Sequence, residues 1–215
     1  MLTLCRHRLL FILMLVAVFA TGAMAPSVKA NDTESITLST PVLSAGYDRV
    51  WMVHAEVKVT LSPVLIEAVN RGVPLHFVTE LEISRKRWYW WNKEVVDLVK
   101  PVRLSYHAVT QQYRVSVGGL HQLVFDGLDE ALSSAVSLKG WSIATPEQTS
   151  VLKALGEAQK SPEDYEMRLR VRLDTAKLPK PLQINALTNK DWNLSSEWIR
   201  PRFAPPVPSL LGDRP

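Results

Sequence analysis

Alternation governs the stretch from Val73 to Trp91, VPLHFVTELEISRKRWYWW. Val73, Leu75, Phe77, Leu81 and Ile83 fall on one side, and His76, Glu80, Glu82 and Ser84 on the other. That is the period of a β-strand, whose successive side chains point to opposite faces. A half-buried strand of this length requires partner strands along its edges and a layer over its apolar side. The stretch then runs into three cations, Arg85-Lys86-Arg87, and four aromatics, Trp88-Tyr89-Trp90-Trp91, the least ordinary local composition in the chain.

The rest of the sequence supplies the partners. Ser35 to Leu43 is an edge-like strand signal. Val50 to Leu61 alternates, with Trp51, Val53, Ala55, Val57 and Val59 inward and His54, Glu56, Lys58 and Thr60 outward. Val102 to Val117 reads as a hairpin, Tyr165 to Asp174 as the most regular strand, and Asn193 to Ile199 as a last one. Helix starts fall at Ser62-Pro63, at Asp126, and at Thr145-Pro146-Glu147-Gln148, where a capping residue, a first-turn proline and a capping-box glutamine coincide. Leu178-Pro179-Lys180-Pro181 interrupts strand pairing. Short links between alternating strands exclude most parallel crossovers. The expectation is an α+β fold: a curved antiparallel β-sheet with three short helices packed on one face. The opposite face carries Glu56, Lys58, Glu80, Glu82, Arg168 and Arg170 as a solvated surface.

The N-terminus reads as a targeting segment. Arg6 and Arg8 precede an apolar run of 12 residues, Leu9 to Ala20, too short to span a bilayer and suited to a secretory signal. Cleavage fits after Ala25 or Ala30; Pro26 spoils the first site, so residues 1–30 are taken as signal, with an uncleaved anchor as the alternative. Residues 31–200 then form a single α+β domain, and the tail 201–215, with five prolines, is expected to be disordered. Arg6, Arg8 and Lys29 leave with the signal, so 25 Lys+Arg and 21 Asp+Glu become 22 against 21. A nearly neutral mature chain gives no case for nucleic-acid binding. Cys5 leaves too, and a mature chain without cysteine has no disulfide, thiolate metal site or cysteine nucleophile.

Catalytic signatures are wanting. His54, His76, His107 and His121 have no partners at metal-ligand spacing, and no HExxH, GxSxG, P-loop or GxGxxG occurs. Ser150 and Lys153 match SxxK without its KTG companion, a spacing that is ordinary in a helix. The reading is therefore no enzyme, no catalytic residues, no metal and no cofactor.

The cationic, aromatic stretch remains, and two readings of it stay open. In one, Trp88 and Trp90 cover one sheet face, Tyr89 and Trp91 the other, and the arginines stack on them. In the other, Arg85, Arg87, Trp88, Trp90 and Trp91 form a contact surface for a membrane or a partner protein.

Gly72-Val73-Pro74-Leu75, Arg87-Trp88-Tyr89-Trp90, Leu104-Ser105-Tyr106, Gln112-Tyr113-Arg114 and Leu178-Pro179-Lys180-Pro181-Leu182-Gln183 follow one another in a telling order. With Asp191-Trp192 and Ser196-Glu197-Trp198 they make the chain resemble a proteobacterial family of secreted domains of unknown function, number 4390 in that series. The likeness covers roughly Ser35 to Arg200. It implies a Gram-negative cell-envelope protein without an established activity, often encoded near a nitrogen-regulation-type sensor kinase, and supplies no catalytic residues. The expected function is a periplasmic, non-catalytic binding or accessory module contacting an envelope protein or a membrane surface, a sensor kinase included among the candidates. The alternative is a carrier or sensor of a small apolar or amphipathic ligand held between sheet and helices. Neither reading fixes an oligomeric state.

Overall fold

The computed structural model describes residues 35–45, 50–87, 92–119, 121–145, 147–202 and 207–208. Strand β5 (Leu75–Arg85) and strand β6 (Lys93–His107) form a long antiparallel hairpin at the centre of the fold. Strands β7 (Gln112–Val117) and β8 (His121–Phe125) extend it on one side, and β10 (Tyr165–Leu173) pairs with β5 on the other. All these pairings are antiparallel.

Register places the apolar rows together. Leu75 faces Leu104, Phe77 faces Val102, Leu81 faces Leu98 and Ile83 faces Val96. Leu169 lies opposite Leu81, and Leu173 opposite Phe77. Leu75, Phe77, Leu81, Leu104 and Leu169 are almost wholly buried. One polar pair interrupts the row, Thr79 against Lys100. The Lys100 ammonium donates to the Ser137 carbonyl at 2.7 Å, and burial pulls its pKa below the usual lysine value.

The cover over this face begins with a bent hairpin. Strands β1 (Ser35–Leu38) and β4 (Val57–Thr60) pair with each other, as do β2 (Val42–Ala45) and β3 (Trp51–His54). The two expected strands, 35–43 and 50–61, are thus each broken in the middle. Pro41 cannot donate to a ladder, and at the bend Ser39 N bonds Glu56 O (2.9 Å) while Glu56 N bonds Ser39 Oγ (2.8 Å). The outer half is widened by β9 (Trp141–Ala144), antiparallel to β3, and by β11 (Val207–Pro208), parallel to β2.

Helix α1 (Pro63–Asn70) starts as the sequence predicts, with Ser62 Oγ accepting from Leu65 N and proline in the first turn. Helix α2 (Leu128–Ala135) starts from Gly127 instead of Asp126, whose carboxylate accepts from Gln112 Nε2 at 3.1 Å. Helix α3 (Thr149–Lys160) begins later than its capping signal suggests. Thr145 N donates to Gln148 Oε1 at 3.1 Å, so the signal closes a turn before the helix. A fourth helix, α4 (Lys180–Thr188), was not expected. Its prolines sit at its start, where they favour a helix, and its apolar residues form no stripe: Ile184 and Leu187 are exposed.

Two apolar clusters result. One joins α1 and α2 (Leu65, Val69, Ala131, Ala135) to Leu75, Phe77, Leu104 and Val115. The other joins the outer half of the bent hairpin and α3 (Val53, Ile143, Leu155, Ala158) to Leu81, Ile83, Met167 and Leu169. The α+β class holds, with four helices among the described residues. The expected last strand is a set of antiparallel bridges from Ser195, Ile199 and Arg202 to β10.

Candidate functional site

The polar face of the sheet carries a ladder of charge. Opposite one another across β5 and β10 stand Glu82 and Arg168, and Glu80 and Arg170. Glu82 and Arg168 form an ion pair. Arg170 Nε reaches Glu80 Oε2 at 2.9 Å, and Arg172 Nε reaches Glu80 Oε1 at 2.9 Å. Arg172 also pairs with Asp174 at 3.6 Å. Burial alone would raise the Glu80 pKa, but hydrogen bonds and charge from Arg170 and Arg172 outweigh it and hold the carboxyl below its usual value. Trp198 lies under two of the arginines, with guanidinium carbons 4.4 Å (Arg170) and 5.2 Å (Arg168) from its ring centre. Glu56 and Lys58, expected on the same face, pair with each other at 3.7 Å and lie instead at the bend and on β4 of the β1–β4 ribbon.

At the end of the sheet the pattern changes. The register of β5 on β6 shifts between Ile83 and Ser84, so that Arg85 stands directly opposite Lys93. On its other side Arg85 is opposite Tyr165, with its guanidinium carbon 5.9 Å from the ring centre. Helix α3 presents Ser150, Lys153, Ala154 and Glu157 toward this end, across an open groove of about 600 Å³. Lys86 closes one side: its N bonds Asp164 O at 2.7 Å and its ammonium bonds Glu163 O at 3.0 Å. Arg85, Lys86, Arg87, Lys93 and Lys153 all line the groove, against one acid, Glu157. Among the described residues none of these five cations forms an ion pair. A second groove of about 700 Å³ adjoins at Lys86 and Tyr165 and adds Arg200 and Arg202; there Arg200 pairs with Glu166 at 3.7 Å.

Of the candidate contact residues, Arg85 and Arg87 are exposed at this groove. Trp88, Trp90 and Trp91, with Tyr89, lie outside the described residues, and β5 ends before them at Arg85. Sequence reasoning missed Lys93 and Lys153. The first is visible only once the strands are set in register, the second only once α3 is docked. Ser150 and Lys153, the incomplete SxxK, both line the groove. His54 bonds Ser44 Oγ and Gly140 N, and His107 bonds Thr110. Among the described residues no three of His, Cys, Asp and Glu are grouped to hold a metal, and no helix is long and apolar enough to cross a membrane.

Chemically, the groove is a place for negative charge. Its lining also includes buried Tyr165 and half-buried Val95 and Ala154, beside the exposed cations. The sequence model of the family described as Domain of unknown function (DUF4390) matches residues 33–201. No curated protein and no solved structure matches the chain.

Proposed function

This chain belongs to the DUF4390 family, and we propose that it is a periplasmic, non-catalytic binding module of the cell envelope. Its working surface is the end of the β5–β6 hairpin, and the surface it meets is an anionic membrane face. The observation that carries this reading is the set of five cations around one groove, Arg85, Lys86, Arg87, Lys93 and Lys153, none of them in an ion pair among the described residues. Four aromatics join Arg87 to Asn92 in sequence, and indoles beside cations suit a headgroup layer. The signal-like N-terminus would deliver the chain to that compartment. Filled packing between sheet and helices, where Phe77, Leu65, Leu104, Leu155 and Leu169 are almost wholly buried, supports contact over a ligand held in the core.

Protein purified from periplasm is to be sedimented with vesicles of phosphatidylglycerol and, separately, phosphatidylcholine. The wild type binds the first and not the second; Arg85→Glu with Arg87→Glu abolishes binding. Trp88→Ser with Trp90→Ser weakens it while leaving the melting temperature unchanged. Equal binding to both vesicles, or none, overturns the membrane reading. A photo-crosslinker at position 87 that yields a protein adduct in cells, with no lipid adduct, transfers the surface to an acidic partner.

A further inference from the structure

We propose that the groove between α3 and the end of the β5–β6 hairpin is a specific site for a phosphate-bearing anion. The inference rests on the reading of this end as the working surface, and goes beyond it by giving the ligand a chemistry and a place.

The end of the hairpin holds an unfavourable pair. Arg85 and Lys93 are directly opposed across two strands. Like charges so placed destabilise a sheet. Between β5 and β10 the opposed arginines meet carboxylates instead: Arg168 with Glu82, Arg170 with Glu80. At this end the strand pair is set by a bulge, which leaves Val95 as the extra residue and brings Lys93 onto Arg85. Lys153 approaches from α3 on the other wall, and its nearest acid at the groove, Glu157, lies one helical turn along. A cluster of this kind is self-repelling when empty and relaxed when an anion sits in it.

Phosphate is the class that fits. Arginine binds phosphate oxygens through a planar fork, and lysine adds point charge. With Ser150 supplying a hydroxyl, the groove offers donors of three kinds on facing walls. Its volume of about 600 Å³ exceeds the needs of a bare ion and suits a phosphorylated small molecule or headgroup. Lys86 is anchored by the Glu163 carbonyl, a neutral acceptor, so its charge still adds to the groove.

Thermal melts of the folded domain test this at fixed ionic strength, with chloride replaced by pyrophosphate or by glycerol 3-phosphate. Since ligand that binds only the folded state stabilises it, a hundredfold excess over Kd raises the melting temperature by roughly 5–10 °C. Lys93→Gln and Lys153→Gln lose most of that rise, whereas Lys58→Gln on β4 keeps it. Without phosphate, Lys93→Gln melts roughly 1–3 °C higher than wild type, because a repulsion has been removed. No rise beyond that in chloride, or an equal rise in every variant, overturns the proposal. Vesicles of phosphatidic acid and phosphatidylglycerol separate the sources. Tighter binding to phosphatidic acid, lost in Lys93→Gln, assigns the site to a lipid headgroup; a pyrophosphate shift without vesicle binding assigns it to a soluble ligand and defeats the membrane reading alone. Vesicle binding without any pyrophosphate shift defeats the site and leaves the surface standing.

Discussion

Arg168, Arg170 and Arg172 stand along one strand with carboxylates beside them, while Arg85, Arg87 and Lys93, at the end of the same sheet, have no ion-pair partner among the described residues. The first group is half-buried and fixed by hydrogen bonds to Glu80 and Glu82, with Arg168 and Arg170 stacked on Trp198. The second is exposed around a groove. Cation count alone would rank the two regions alike. What separates them is whether the neighbouring strand supplies acids at the matching register. Across from β10, strand β5 supplies Glu80 and Glu82; at the hairpin end, β6 supplies Lys93 opposite Arg85.

Substitutions test that contrast. The largest effect is expected beneath both regions. Leu169→Asp buries a carboxylate in the inward row of β10 and costs several kcal/mol, a large part of the roughly 5–15 kcal/mol that holds a domain together. Circular dichroism of the variant should show an unfolded chain at room temperature.

Next comes the paired face itself. Arg170→Asp sets a carboxylate against Glu80 and removes a cation from Trp198, for a loss of about 2–3 kcal/mol in urea titration. A loss below ~0.5 kcal/mol would show that this face is merely wet and that the contrast with the sheet end is empty.

Acid comes third. The folded Glu80 pKa lies below its usual 4.5. Its contribution is therefore fully present above that value and is lost as pH falls through the folded pKa, because only the unfolded state takes up the proton in between. Glu80→Gln should flatten the stability profile in that window and leave neutral pH less stable. His76 adds a second, higher window. Burial first, then Arg103, depresses its pKa below 6.5, with Lys177 assisting and Asp174 opposing. Stability drops as pH falls from 6.5 through the folded value, and His76→Gln should remove that part.

The smallest effect is expected at the sheet end. Arg87→Gln should change stability by less than ~0.5 kcal/mol, since Arg87 is exposed and forms no ion pair among the described residues. A larger destabilisation would mean that the cations there are structural after all.

Much of this architecture is legible in the sequence because burial on one face of a strand writes itself as alternation. The strand expected over Tyr165 to Asp174 is found over Tyr165–Leu173 for that reason. The first half of β6 is not, because Lys93, Glu94, Asp97 and Lys100 break the pattern on a strand whose partners are fixed only in three dimensions. Strands β8 and β9 are too short to show a period. The bend at Ser39 and Glu56 leaves the alternation of residues 50–61 intact while splitting its pairing, so no pattern reveals it. The site was half visible: Arg85 and Arg87 are conspicuous beside four aromatics. Lys93 and Lys153 are ordinary in sequence and become notable only through register and docking.

The bridges between β10 and residues 195–202 bear on the order in which the chain can fold. Strands β5 to β8 are sequence neighbours and close through short turns, so they can assemble as soon as they are present. Strand β10 pairs with β5 across most of the domain, and its outer edge is met by Ser195, Ile199 and Arg202, close to the end of the family match at residue 201. The arginine ladder and Trp198 are therefore expected to come together last, when a long loop closes on an edge already built. A chain shortened before Trp198 would keep the local meander and its groove-forming hairpin, yet leave β10 as an open edge able to pair with another molecule. The final segment acts as a latch, and its loss should appear first as aggregation during refolding and only later as a change in the groove.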